Sequence, residues 1–273
     1  MSAQGIRLST SAKADTSHEL VTRLDRLPVD NIENDIARGK VPNAYGFAAF
    51  GERVFAGSQE DAVIWSNGAF VGPAIGGAQM SIVSSSVNDA ENGTGIKTIE
   101  LHYLDVNLIE HTEIVTLTGL IPVLTAATDI YFINEMHVMT VGSNLKAAGD
   151  IIVSNSGITY AEILTNKLLM TSSARMVSKG KRVFISGAVA GSSSASADAR
   201  VTIRLVSSSY NGNIFVNPFL LLPLGSVDLQ DGSVTFSFPV PPSFGEGIVF
   251  GLTASVDKGC RVGGSIYGWF EDA

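Results

Sequence analysis

From Ala44 onward the chain alternates apolar and polar residues in short runs. Ile99, Leu101 and Tyr103 alternate with Thr98, Glu100 and His102, and Val201, Ile203 and Leu205 with Thr202 and Arg204. Val234, Phe236 and Phe238 follow the same rule, and Ile248, Phe250, Leu252, Ala254 and Val256 carry it through a late strand. A period of two buries one face of a sheet and wets the other. Turn signals separate the runs at Asn67-Gly68, Gly76-Gly77, Asn92-Gly93, Asn211-Gly212, Asp231-Gly232 and Gly263-Gly264. Many short strands with no helices between them predict an all-β fold of antiparallel sheets, a β-sandwich of jelly-roll-like character. After residue 50 the only stretch compatible with helix is Ala161 to Met170, which equally fits the approach to a strand.

The first 45 or so residues read differently. Thr16 or Ser17 can cap a turn that places Leu20, Val21 and Leu24 on one side, and Pro28 stops that run. A second short helix over Asp30 to Arg38, carrying Ile36, ends at Gly39. Neither piece has the apolar surface to fold alone. Residues 1–45 are therefore an N-terminal arm that either docks on a neighbouring subunit or packs on its own domain, and residues 46–273 form the β domain. A division of that domain into two packed subdomains would fall near residues 165–200. There the low-complexity segment GSSSASADA at 191–199 is flanked by strand patterns on both sides, as in a long hairpin loop.

Composition narrows the function classes. With 273 residues and 45% hydrophobic content the chain can bury a sizeable core. Charged residues make up 16%, below the ~25% of an average domain, which suits surfaces covered by neighbours and also suits β proteins in general. The net charge of −8 disfavours a sequence-independent grip on nucleic acid. A single cysteine, Cys260, permits no intrachain disulfide and no thiolate zinc site. The N-terminal stretch has no apolar core of a secretory signal, and the most apolar run, Ile214 to Gly225, is too short for a bilayer and is broken by Pro218 and Pro223. No membrane partner is expected. Within that run Phe215, Phe219 and Leu221 belong either to the core or to a subunit interface.

Candidate chemistry is sparse. If Asp105 to Leu108 make a four-residue turn, His102 lies opposite His111 and Glu100 opposite Glu113, four side chains on one face that could hold a divalent metal or simply wet a hairpin. A one-residue slip would send them to different faces. Asn88, Asp89, Glu91 and Asn92 offer oxygens for calcium, but their spacing departs from the known loop and fits a turn. Gly93-Thr94-Gly95 lacks the lysine of a phosphate loop, and no Gly-x-Ser-x-Gly elbow is present. Trp65 and Trp269 read as core residues. No catalytic residue, cofactor or enzyme activity is expected.

Three short pieces, Gly93-Thr94-Gly95, Leu104-Asp105-Val106-Asn107 and Glu113-Ile114-Val115-Thr116-Leu117-Thr118-Gly119, succeed one another within a run from Gln79 to Val123. This succession resembles a segment of virion structural proteins of tailed bacteriophages, many of them marine. The resemblance implies a non-enzymatic particle component of the tail, neck or collar, or a cement or decoration subunit on the capsid. Such a subunit would self-associate and attach to other virion proteins. A host-surface glycan-binding module of a phage particle is the alternative.

Overall fold

The structure is a computed structural model that describes residues 32–193, 199–209, 218–229 and 231–273. The chain divides into two compact units, Met1–Pro42 and Asn43–Ala273. Among the described residues of the first unit a short helix, α1 (Ile32–Ala37), buries Ile36 and is stopped at Gly39, as expected, where φ is 68°. Leu20, Val21 and Leu24 lie outside the described residues.

The second unit is all-β and antiparallel, as the alternation predicts. It holds two sandwiches. In the larger, one sheet runs β1 (Tyr45–Phe55), β17 (Cys260–Asp272), β11 (Lys181–Ser193) and β14 (Asp231–Ser237), with β15 (Ser243–Phe244) also on β11. The facing sheet runs β10 (Arg175–Met176), β16 (Ile248–Val256), β12 (Ala199–Ser209) and β13 (Pro218–Leu229), with β2 (Gln59–Val63) on β16. Ile185, Val262 and Ile266 of the first meet Ile203, Leu205 and Leu252 of the second in a shared core.

The smaller sandwich stacks β6 (Val123–Leu124), β3 (Ser81–Ser84), β8 (Ile151–Asn155) and β9 (Ile158–Ile163) on a three-stranded sheet of β5 (Glu110–Thr116), β4 (Ile96–Asp105) and β7 (Ile130–Val141). Ile99, Leu101 and Met136 pack there against Ile82, Ile151 and Val153. Because β1 and β2 pair with β17 and β16, the smaller sandwich is an insertion between β2 and β10 and not a sequential half. A third cluster around Trp65, Phe132, Met176 and Val249 joins the two.

Two expectations are corrected, and the open choice between helix and strand at Ala161 to Met170 is decided for strand. β11, which ends at Ser193, and β12, which starts at Ala199, belong to different sheets, so they are not the two arms of the hairpin expected around 191–199. Ala161 to Met170 completes β9 and then turns, with Asn166 at φ 68°, and forms no helix. β16 is buried on both faces instead of one. Its Phe250 and Leu252 enter the large core, while Val249 enters the joining cluster and the Ser173 hydroxyl bonds both backbone groups of Leu252.

Two of the pieces that carry the phage resemblance, Gly93-Thr94-Gly95 and the end of Glu113–Gly119, meet at one buried carboxylate. Asp89 is fully buried, and its two oxygens accept hydrogen bonds from Ile96 N (2.8 Å), Ala148 N (2.9 Å), Gly149 N (2.9 Å) and Ser84 Oγ (2.6 Å). A Cβ at Gly95 would overlap that carboxylate, which accounts for the glycine. Gly119, at φ 71°, donates to Asp89 O and accepts from Ser84 N. Oxygens that the spacing offered to calcium are thus engaged by the chain itself at Asp89. Removing the carboxylate strands four buried donors, at about 1–3 kcal/mol for each that water does not reach. Asp89→Ala is expected to lower the unfolding free energy in urea by at least ~3 kcal/mol. A loss under ~1 kcal/mol would mean that water replaces the carboxylate.

Candidate functional site

The β4–β5 hairpin turns on a second aspartate. Asp105 Oδ1 accepts from Asn107 N (2.7 Å) and Ile109 N (3.0 Å), the backbone closes again from Asp105 N to Ile109 O (3.0 Å), and Leu108 takes φ 64°. This makes the loop one residue longer than a four-residue turn and slips the expected register by one. Tyr103, not His102, faces His111, and Leu101, not Glu100, faces Glu113. The four-residue His/Glu face therefore does not form. His111 instead stacks on Tyr103, with ring centres 5.5 Å apart, and reaches Asp105 Oδ2 at 3.2 Å. Glu113 accepts from the backbone of Ala126 (2.6 Å) and Ala127 (3.1 Å).

Glu100 and His102 find their partners on the other neighbour, β7. Glu100-Leu101-His102 and Glu135-Met136-His137 run antiparallel, with Glu100 opposite His137, Leu101 opposite Met136 and His102 opposite Glu135. The apolar centres are buried and the four polar side chains share the outer face. Glu100 Oε2 lies 3.1 Å from His102 Nε2 and 2.9 Å from His137 Nε2, and Glu135 Oε1 is 3.8 Å from His137 Nδ1. The His102 hydrogen bond, with help from His137, holds the Glu100 carboxyl below its ordinary range against some desolvation. A β-bulge between the His102 and Tyr103 pairings leaves Asn134 without an opposite residue. Its amide clamps both backbone groups of Met176, accepting at 2.8 Å and donating at 3.0 Å. His137 was invisible to local reasoning about the hairpin, but the repeated Glu-apolar-His tripeptide was a signal for it.

Beside this face opens a cavity of about 600 Å³, lined by Tyr45, Phe47, Tyr103, Glu110, Asn134 and Arg175 among others. Arg175 is buried, and burial pushes its guanidinium down to about 10, with Glu135 opposing, so it stays a cation at neutral pH. Its Nη1 donates to the carbonyls of Ser172 (3.0 Å) and Ala174 (2.9 Å), and among the described residues no carboxylate forms an ion pair with it. Tyr45 donates to Glu110 at 3.3 Å, and burial followed by that carboxylate raises its phenol above the ordinary range. Elsewhere burial raises the Glu162 carboxyl, which accepts from Ser66 Oγ at 2.9 Å.

On the far side of His137 an apolar groove of about 760 Å³ is lined by Val138, Met139, Val141, Leu145, Leu168 and Leu169. Leu145 and Leu169 are 69% and 56% exposed. Of the remaining expected interface residues, Phe215 lies outside the described residues, and Phe219 and Leu221 lie in β13, which pairs with β12. Trp65 is buried and donates to Gly68 O at 3.1 Å, while Trp269 stacks on Phe184, with centres 5.1 Å apart.

No family model and no curated protein matches the chain. Among solved structures it is similar to one of infectious bursal disease virus, Gt strain, at 8% identity over 89% of this chain and 83% of that one, with a TM-score of 0.19. The crystal structure of the T13 viral particle of the same virus gives 11% identity, 84% and 72% coverage and a TM-score of 0.21. Likeness at that level does not establish a common fold.

Asp105 gives the hairpin a pH dependence of known sign. Burial raises its carboxyl, but the Ile109 and Asn107 amides and His111 outweigh it, so the folded pKa lies below the ordinary one. The stability it contributes is present above the unfolded value of ~3.9 and is lost as pH falls through the folded value. Asp105→Asn is expected to be less stable than the natural chain at pH 7, with the gap narrowing below about pH 4. A gap that stays constant to acid pH in urea titrations would show that the carboxylate charge is not what holds the turn.

Proposed function

We propose that this chain is a non-enzymatic structural subunit of a tailed-phage virion, placed in the tail, neck or collar or on the capsid as a cement or decoration subunit. It is made in the host cytoplasm and works by self-association and attachment to other virion proteins. The observation that carries the reading is the uncovered aliphatic groove of Met139, Leu145, Leu168 and Leu169 on the smaller sandwich. Aliphatic side chains gathered in one exposed patch favour burial against another chain at ~25 cal/mol per Å². Leu145 is moreover held at φ 56°, a conformation that costs a non-glycine residue about 1–2 kcal/mol. Strain spent on presenting a leucine to solvent supports a contact with a second copy of the chain. The phage-like pieces support the same reading, since they build turns around Asp89 and Asp105 and leave the chemistry of the segment to its surface.

The N-terminal arm is a second proposed contact, through Leu20, Val21 and Leu24; Ile36, expected to share that role, is already buried within the chain. Repeated on many copies, modest contacts add by avidity. Sedimentation velocity on the full chain is expected to show an oligomer that Leu145→Asp with Leu169→Asp reduces toward monomer. Deletion of residues 1–43 should weaken the oligomer while the β domain stays folded by circular dichroism. A natural chain that is monomeric at high concentration and fails to join particles would overturn the proposal.

A second reading, a host-surface glycan-binding module, is favoured by the Arg175 cavity. A buried guanidinium whose partners among the described residues are carbonyls, beside the rings of Tyr45 and Tyr103, suits a saccharide that carries a carboxylate. Saturation-transfer NMR should then detect uronic- or sialic-acid oligosaccharides but not neutral ones, with the signal lost in Arg175→Lys. Equal response to neutral sugars, or none to acidic ones, would dismiss this reading.

A further inference from the structure

We infer that the paired Glu-x-His tripeptides of β4 and β7 form a binding site for a zinc-class divalent transition metal, with Glu100, His102 and His137 as ligands. This assignment stands on the geometry of the outer sheet face and is independent of the assembly role.

The ligand atoms of the three residues lie within 4.8 Å of one another. Two of the separations are set by Glu100 Oε2, at 3.1 Å from His102 Nε2 and 2.9 Å from His137 Nε2. A tetrahedral zinc with bonds of about 2.0–2.1 Å separates its ligand atoms by about 3.3 Å. Admitting the ion therefore asks the two contacts of Glu100 to open by less than about half an ångström, within the reach of side-chain torsions.

The backbone does the larger part of the positioning. Glu100 and His102 are two residues apart on one strand, and His137 stands directly opposite Glu100 on the next, so all three project from one face. The imidazole rings already face each other, with centres 5.1 Å apart. Their supports are buried: Leu101 and Met136 anchor the two tripeptides in the core beneath.

The donor set selects the metal class. Two imidazole nitrogens and one carboxylate oxygen suit zinc and its neighbours, whereas calcium and magnesium prefer all-oxygen sites. Three protein ligands leave a coordination position for water. Glu135 is placed as an outer partner, 3.8 Å from His137 Nδ1, where a carboxylate can orient the ligating ring. Two carboxylates with no lysine or arginine ion-paired to Glu100 among the described residues leave local charge for a dication to neutralise.

The test is isothermal titration of the full chain, without a histidine tag, with zinc chloride near neutral pH. One zinc per chain is expected, with affinity reduced at least tenfold in His102→Ala and in His137→Ala. His111→Ala is the control: it sits on the same hairpin but outside the cluster, and it should bind zinc as the natural chain does. Thermal melts without metal establish that the outward-facing variants stay folded, and zinc should raise the melting temperature of the natural chain and of His111→Ala alone. Absence of saturable binding by the natural chain, or equal binding by His102→Ala with His137→Ala, would overturn the assignment and leave Glu100 as a hydrogen-bond acceptor between two histidines.

Discussion

The smaller sandwich depends on a carboxylate enclosed by the chain, that of Asp89. Asp89 sits at the start of the run that becomes β4, and its oxygens collect donors from Ser84 at the end of β3, Ile96 at the start of β4, and Ala148 and Gly149 just before β8. Three strands from two facing sheets are thereby referenced to one point. A buried charge is tolerated only when its lone pairs are satisfied, and here four donors satisfy it. The same demand dictates the small residues nearby, because the chain must close round the carboxylate without side chains in the way, as at Gly95. Folding the loops correctly and solvating Asp89 with protein are one event, which gives this region a single answer.

From that reference the outer face follows. With the start of β4 placed by Asp89 and its end by the Asp105 turn, the pairing with β7 has little freedom. The bulge at Asn134 lets β7 do two tasks at once: its amide grips Met176 of the larger sandwich, while the next residues place Glu135 and His137 opposite His102 and Glu100. A structural joint and the Glu/His cluster thus share one irregularity. The aliphatic groove begins beside His137, so the polar cluster and the proposed assembly surface adjoin on one face.

The larger sandwich contributes differently. Its core is a plain meeting of two sheets, and β16 is covered on both faces because the segment around Ser172 to Arg175 returns from the insertion and lies across it. That return also buries Arg175 at the edge of the cavity, giving the molecule a cation whose hydrogen-bond partners among the described residues are carbonyls. The joint between sandwiches is thus where charge, aromatic rings and open volume coincide.

The amino-acid sequence by itself determined the fold class, most of the strands and the turns at Asn67-Gly68, Gly76-Gly77 and Asn92-Gly93, because period-two alternation and glycine-rich turns are local properties of β structure; it misplaced Asp231-Gly232 and Gly263-Gly264, which lie inside β14 and β17, where partner strands take up their backbone groups. It also determined the end of α1 at Gly39 and the core role of Trp65. Only the tertiary structure decided which strands pair. The insertion of one sandwich into the other, the placing of β11 and β12 in different sheets and the two-sided burial of β16 arise from contacts between segments far apart in the chain, which alternation does not encode. The His/Glu face shows the limit most clearly. Its register hung on one residue of loop length, set by how many amides the Asp105 carboxylate could gather, and that slip exchanged His111 and Glu113 for His137 and Glu135. Both tripeptides were legible in the sequence, but their meeting was not, since only the folded sheet brings residue 137 beside residue 100.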